Sequence, residues 1–307
     1  MIKSTKLKLL MLCLLSGLSQ VMAKDFYVST VNSKASDTNP GTQELPWKSL
    51  SKVNEMMATF KAGDRILFER GSVFYGALTI RAFGAAGNPL IFRDYGSGAL
   101  PIINGTIPLD GFQDSDGDNI WEASCSNCDL PINLVMRDAQ NLPLGRYPNL
   151  DQPNAGYLSI DQDSKSAYRL IDWDFGFSKD FWKGAEVIIR PKRWALNAVT
   201  ISGNNSSNLY LDDLAMRKQP NFSVPAGFGF FIQKHKGTLD QEGEWYYDES
   251  SKKLYVYSQD DLSQANIRVG QTNYLIEINR QQHVEVFNLH LEASNGDGIE
   301  VYNSNHI

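Results

Sequence analysis

Two segments near the end of the chain repeat each other at a fixed offset, and that offset limits the fold more than any other feature. Ile276-Glu277-Ile278 returns as Ile299-Glu300-Val301, and His283-Val284 returns as His306-Ile307, each 23 residues further on. Between them, Val284 to Glu292 (VEVFNLHLE) alternates apolar and polar residues. A period of this length holding several short β runs is the mark of a parallel β-helix. Each repeat is one coil, which cannot bury its apolar face alone and must stack on its neighbours.

The N-terminal third carries the same texture. Short apolar runs, Ile66 to Phe68, Ala77 to Ile80, Pro89 to Phe92 and Pro101 to Ile103, are separated by glycine-containing turns. Strands this short, evenly spaced and without helices between them predict an all-β stack. Ahead of them, Trp47, Leu50, Val53, Met57 and Phe60 recur at three- and four-residue spacing and end at Gly63. That spacing predicts one amphipathic helix. The middle, about 109–262, differs: its apolar runs are longer and richer in aromatics, as in AEVIIRPKRWALNAVTI and GFGFFIQ. EWYY and KLYVY around a polar ESSK turn predict a hairpin. The expected organisation is a signal peptide over 1–23, cap and first coils over 24–108, a β-rich insertion over 109–262, and coils resuming over 263–307. Distorted coils of the same helix are the alternative for the middle. The chain stops inside the second repeat copy without a polar cap, and the expectation is that it is part of a longer protein.

The first residues read as an address. Lys3, Lys6 and Lys8 precede the apolar run Leu9 to Leu15, and Val21-Met22-Ala23 forms a cleavage site. This is the pattern of a secretory signal peptide, which places the chain outside the cell, in the periplasm or at the cell surface. Cys125 and Cys128 are the cysteines left after it, and in an oxidising compartment a local disulfide is the expected state. The formal charge of −6, without basic blocks, argues against nucleic acid as a partner. Beyond the N-terminus no apolar run is long enough to span a membrane.

The chain resembles secreted right-handed parallel β-helix proteins of the pectin-lyase-like superfamily. The resemblance rests on FYVS, PWKSLSKVN, AGDRILFERGSVFYGALTI and GNPLIFRDYGSGALPIINGT, then on RYPN, GEWYYDESSKKLYVYS and the final NGDGIEVYNSNHI. It implies an all-β, right-handed parallel β-helix with a capping helix. It also implies a polysaccharide partner, as polysaccharide lyase or glycoside hydrolase, or as a non-catalytic glycan-binding or adhesin module. The superfamily's substrate groove lies along central coils, so this chain alone is expected to be inactive.

The candidate chemistry follows. Asn295-Gly296-Asp297-Gly298-Ile299-Glu300 is similar to the polygalacturonase stretch Asn-Thr-Asp-Gly-Ile-Asp, which makes Asp297 the catalytic candidate. Inverting hydrolysis needs a second carboxylate about 6.5–9.5 Å away. The competing reading is a coil corner, with glycine supplying a positive φ. Arg190 and Arg193, beside Trp194, form a basic cluster that can hold an acidic sugar while the indole stacks on a pyranose; a solvated strand edge is the alternative. Asp114, Asp116 and Asp118 offer oxygens at alternate positions, suited to calcium or to a polar hairpin turn. His283 and His306 should stack as a ladder, as should Glu277 and Glu300, whose mutual repulsion calls for a cation or a solvated face. Calcium is the one cofactor these patterns suggest.

Overall fold

The computed structural model describes residues 23–164, 168–212 and 224–307. The signal-peptide reading falls on residues that, Ala23 apart, lie outside this description. The fold is mostly β with little helix, in several small parallel and antiparallel sheets. Among the described residues no helix is long and apolar enough to cross a membrane.

Three of the sheets are parallel. The first joins Asp25–Val28, Arg65–Glu69, Leu90–Tyr95 and Val284–Val286. The second joins Val73–Tyr75, Ile102–Asn104 and His290–Glu292. The third joins Leu78–Ile80, Tyr274–Asn279 and Asp297–Tyr302. From Arg65 onward the chain visits them in a fixed cyclic order, first, second, third, interrupted once between Asn104 and Tyr274. Alternation along each strand turns Ile66, Phe68, Leu90, Phe92, Ile276 and Ile278 into one shared core. The repeat seen in the sequence is the register of the third sheet: Ile276 pairs with Ile299, Glu277 with Glu300. The two histidine rings stack at 4.6 Å and 3°. Glu277 finds its cation in the chain itself, from Arg81 Nη2 at 2.6 Å.

The helix is shorter than the apolar spacing predicts. It runs from Leu50–Met56 and tightens into a single turn over Met57–Thr59. Asp37 fixes its start, accepting from Lys48 N, Ser49 N and Ser49 Oγ, so Trp47 pairs instead with Val28. Leu50, Val53, Met57 and Phe60 still enter the shared core.

The turns differ from expectation at one instructive place. Gly296 and Gly298 do not take positive φ; Ala293, Arg280 and Asn303 do, at 59°, 58° and 49°. Gly296 is needed for close approach instead, because a Cβ there would lie 2.8 Å from Asn273 O. The coil-corner reading of Asn295 to Glu300 is therefore corrected: Asp297 opens a strand.

The interruption holds two further cores rather than one. Ile120–Ser124, Trp245–Asp248 and Lys253–Tyr257 form one antiparallel sheet. Thr106–Leu109, Ile267–Gly270, Val135–Arg137 and Gln140–Asn141 form another. They enclose Phe112, Val135, Leu254, Val256 and Val269 together with Cys125 and Cys128, which are joined as a disulfide. The second core lies on a seven-stranded antiparallel sheet built on Glu186–Lys192, Ala195–Asn204 and Gly229–Gln233. Val187, Ile189, Val199, Ile201, Phe230 and Ile232 point into it and pack on the fully buried Trp182.

Candidate functional site

The seven-stranded sheet carries a broad concavity. Arg146–Tyr147 pairs with Gly229–Gln233 at one place and Leu158–Ser159 pairs with it at another, so the chain between must loop out and return. Arg146 holds that loop closed. Its Nε donates to Pro148 O at 3.0 Å and its Nη2 to Gly156 O at 2.5 Å, while its guanidinium lies 3.9 Å above the Phe231 ring. Burial pulls its pKa below the ordinary value, though an arginine stays charged. The loop bends through Asn154 and Ala155, both left-handed at φ 61° and 53°, and then Gly156 at 67°. Non-glycine residues held there cost about 1–2 kcal/mol each, a cost that local contacts must offset.

Beside this loop lies a cleft of about 770 Å³, lined by Tyr147, Asn149, Gln152, Tyr157 and Asp240 among others. A neighbouring cleft of about 660 Å³ shares Asn154, Tyr157 and Gly227 with it, so the two adjoin along one wall. The second is lined by Arg190, Arg193 and Phe228. Tyr157 divides them. Its ring packs edge-on to Phe231 at 5.4 Å, over Gly229, where a Cβ would meet Tyr157 Cδ1 at 2.8 Å.

The polar groups of the first cleft are held from behind. Asn149 Nδ2 donates to Asp240 Oδ1 at 2.7 Å. Asn149 Oδ1 is buried and has no hydrogen-bond partner among the described residues. Asp240 is fixed by its own amide, which donates to Glu244 at 3.0 Å. Burial pushes the Glu244 carboxyl above its ordinary value, against hydrogen bonds from the amides of Asp240, Gln241 and Arg146. Burial, then the charges of Asp172 and Asp240, push the Tyr147 phenol up. Asp240 is the one carboxylate among the lining residues of both clefts. The arrangement therefore suits binding of hydroxyl-rich ligands, not the two-carboxylate chemistry of glycoside cleavage.

Arg190 and Arg193 come together in this cleft, and Arg190 Nη2 donates to Arg193 O at 2.9 Å. Trp194 does not join them: it is 80% exposed, outside the lining, with Lys192 Nζ 6.0 Å from its ring centroid. Asp297 is exposed on a different sheet. There the Tyr274 phenol is pushed up, chiefly by the charge of Glu300, with Asp297 and Glu277 adding.

Of the two readings of Asp114, Asp116 and Asp118, the hydrogen bonds fit the polar turn. Asp114 accepts from the amides of Gly117 and Asn119, Asp118 from Ile120 N, and Lys236 stands 3.8 Å from Asp116 and 3.9 Å from Asp118. This is a polar turn that satisfies its own backbone. Among the described residues no group of three His, Cys, Asp or Glu is arranged to hold a metal ion.

Tyr147, Asn149, Tyr157 and Asp240 escaped the sequence analysis. The RYPN stretch, Arg146 to Asn149, was the nearest signal, an arginine and an aromatic just ahead of a proline-bearing loop.

No protein-family model matches the chain. A lacto-N-biosidase of Bifidobacterium longum subsp. longum is 25% identical over 272 residues, covering 81% of this chain and 16% of that protein. A solved glycoside hydrolase superposes with a TM-score of 0.69 at 16% identity, covering 89% of this chain and 51% of its own. Its relatives are glycoside hydrolases. A GH136 lacto-N-biosidase structure from Eubacterium ramulus shares 34% identity over 30% of this chain and 15% of its own, with a TM-score of 0.25. The chain thus spans 16% of the length of the curated relative it matches and about half of the superposed structure.

Proposed function

We propose that this chain belongs to a secreted, carbohydrate-directed protein of glycoside-hydrolase type, and that its cleft at Tyr157 contacts the glycan. The observation that carries this reading is the exposed Asp240 carboxylate, held by Asn149 in a cleft lined by Tyr147 and Tyr157. A sugar hydroxyl can donate to that carboxylate, and an aromatic ring presents a flat apolar face to the C–H side of a pyranose. The similarity to glycoside hydrolases supports the substrate class.

The cyclic order of the three parallel sheets supports a right-handed parallel β-helix of the pectin-lyase-like kind, with the antiparallel sheets inserted into one coil. The charged N-terminal segment and the Cys125–Cys128 disulfide support an extracellular or periplasmic location. We assign reaction chemistry to Asp297, a reading supported by Glu300 and Glu277 on the same sheet, whose charges act with that of Asp297 on Tyr274. There, Asp297→Asn should abolish whatever glycosidic cleavage the wild-type chain supports, and unchanged turnover would remove Asp297 from that role.

The test of the cleft is calorimetric titration of neutral oligosaccharides into wild type and Tyr157→Ala. Binding in wild type that weakens at least tenfold in the variant supports the assignment. Equal affinity in both proteins places the glycan elsewhere.

A further inference from the structure

The two halves of the cleft differ in charge. One end holds Asn149 paired to Asp240; the other holds Arg190 and Arg193. Among the described residues neither guanidinium is paired with a carboxylate. The Arg193 carbonyl fixes one end of the Arg190 fork, which orients the guanidinium at small entropic freedom and leaves its remaining N–H groups unspent. Two unpaired guanidiniums on one concave wall favour an anion between them, because a planar oxyanion accepts two parallel N–H donors. The wider molecule offers no such attraction: its formal charge is −6. Any affinity for an anion must therefore be local to this wall.

Tyr157 stands between the two ends and is held by Phe231 and Arg146. Its position lets one ligand cross from the neutral, hydroxyl-binding end to the cationic end. The opposite polarity of the ends also fixes direction. An anionic group placed at the Asp240 end meets a like charge and an acceptor, so only one orientation satisfies both.

We propose that the cleft selects a glycan bearing an anionic substituent, a carboxylate or a sulfate ester, held by Arg190 and Arg193 while the adjoining neutral sugar occupies the Asn149–Asp240 end. This rests on the glycan reading of the cleft and adds the ligand's charge and direction. The anionic group lies on the two arginines, the pyranose on Tyr157, and a sugar hydroxyl donates to the Asp240 carboxylate.

The experiment titrates three probes into the full chain: N-acetyllactosamine, its 6-O-sulfate and its sialylated trisaccharide. Wild type should bind at least one anionic probe roughly tenfold or more tightly than the neutral one, with the preference shrinking between 50 and about 300 mM salt. The sulfate and sialyl arms show which anion is preferred. Arg190→Gln/Arg193→Gln should erase the preference, bringing affinity for the anionic probes down to that for the neutral one. Arg190→Lys/Arg193→Lys, which keeps the charge and loses the fork, should retain part of it. Circular dichroism checks that each variant is folded. Equal affinity for all three probes overturns the charge selection and leaves the glycan reading standing. A preference that survives in the glutamine variant overturns the assignment to these arginines. Binding of no probe, by wild type or variant, overturns the glycan reading and this proposal with it.

Discussion

Arg146→Lys is the substitution that most directly separates the cleft from the sheet beneath it. The guanidinium spans two carbonyls, Pro148 O at 3.0 Å and Gly156 O at 2.5 Å, at the two ends of the looped segment. It also lies flat on Phe231 at 3.9 Å. A lysine keeps the charge and can reach one carbonyl, but it is a point donor and cannot stack as a plane. One charge-assisted hydrogen bond is then lost, about 1.5–3 kcal/mol, with about 0.5–1 kcal/mol of cation–π contact. Releasing Asn154 and Ala155 from left-handed backbone returns about 1–2 kcal/mol each in either protein, which lowers the cost of opening without entering the difference between the two. The gain is realised only if the loop opens, so the variant should open locally before the sheet unfolds. A net shift of about 2 kcal/mol raises the open population roughly thirtyfold. Limited proteolysis across residues 148–156 reads this directly, with urea unfolding followed by the fluorescence of buried Trp182 as the measure of the sheet. Cleavage at the wild-type rate, with Trp182 unfolding unchanged within about 0.5 kcal/mol, would show that Arg146 does not hold the loop.

Two further outcomes are expected. Burial holds the His235 imidazole below its ordinary 6.5, beside Trp182 and Phe181, with Nδ1 accepting from Gly237 N. The unfolded chain therefore binds a proton that the folded one refuses, and stability falls as pH drops below about 6.5 until the folded histidine also protonates. His235→Gln should flatten that part of the denaturation curve between pH 7 and 5; parallel curves for the two proteins would remove His235 as the cause. In the parallel sheets, Gly84→Ala would set a Cβ 2.3 Å from His283 O and 2.4 Å from Leu90 N, both backbone atoms, and should leave no soluble folded protein. Gly87→Ala, at φ 77° with open space around it, should cost only about 1–2 kcal/mol in thermal unfolding. Comparable melting temperatures for the two would contradict the close backbone approach at Gly84.

The parallel sheets were legible in the sequence because their contacts repeat. Ile276 and Ile299 announce their pairing by spacing, and the histidine stack follows from the same offset. The helix was legible in its buried face and not in its length, because Asp37 sets its start from outside the periodic segment. The middle was legible as β and as a hairpin at Trp245–Asp248 and Lys253–Tyr257. Its division into two cores was not. Ile120–Ser124 pairs with Lys253–Tyr257 across more than a hundred residues, and no local pattern encodes such a partner. The cleft was half legible. Arg190 and Arg193 stood out as a basic cluster, whereas Asn149 and Asp240 become a pair only because the sheet brings residue 240 back beneath the loop.

That difference has a physical root. A strand of the parallel sheets is fixed by neighbours that look like itself, so each residue's environment can be read from the repeat. The loop over 148–156 has no such neighbour. Its two left-handed residues are disfavoured where they stand, and the contacts that hold them come from Arg146 and Glu244, the latter accepting from the Arg146 amide and from the amides of Asp240 and Gln241. The same two side chains therefore set the loop and aim Asp240 at Asn149. A substitution at either should weaken ligand binding even though neither lines the cleft, and the loss should appear in affinity for neutral and anionic sugars alike. Loss of Arg190 and Arg193 should instead bring affinity for the anionic ones down to that for the neutral ones.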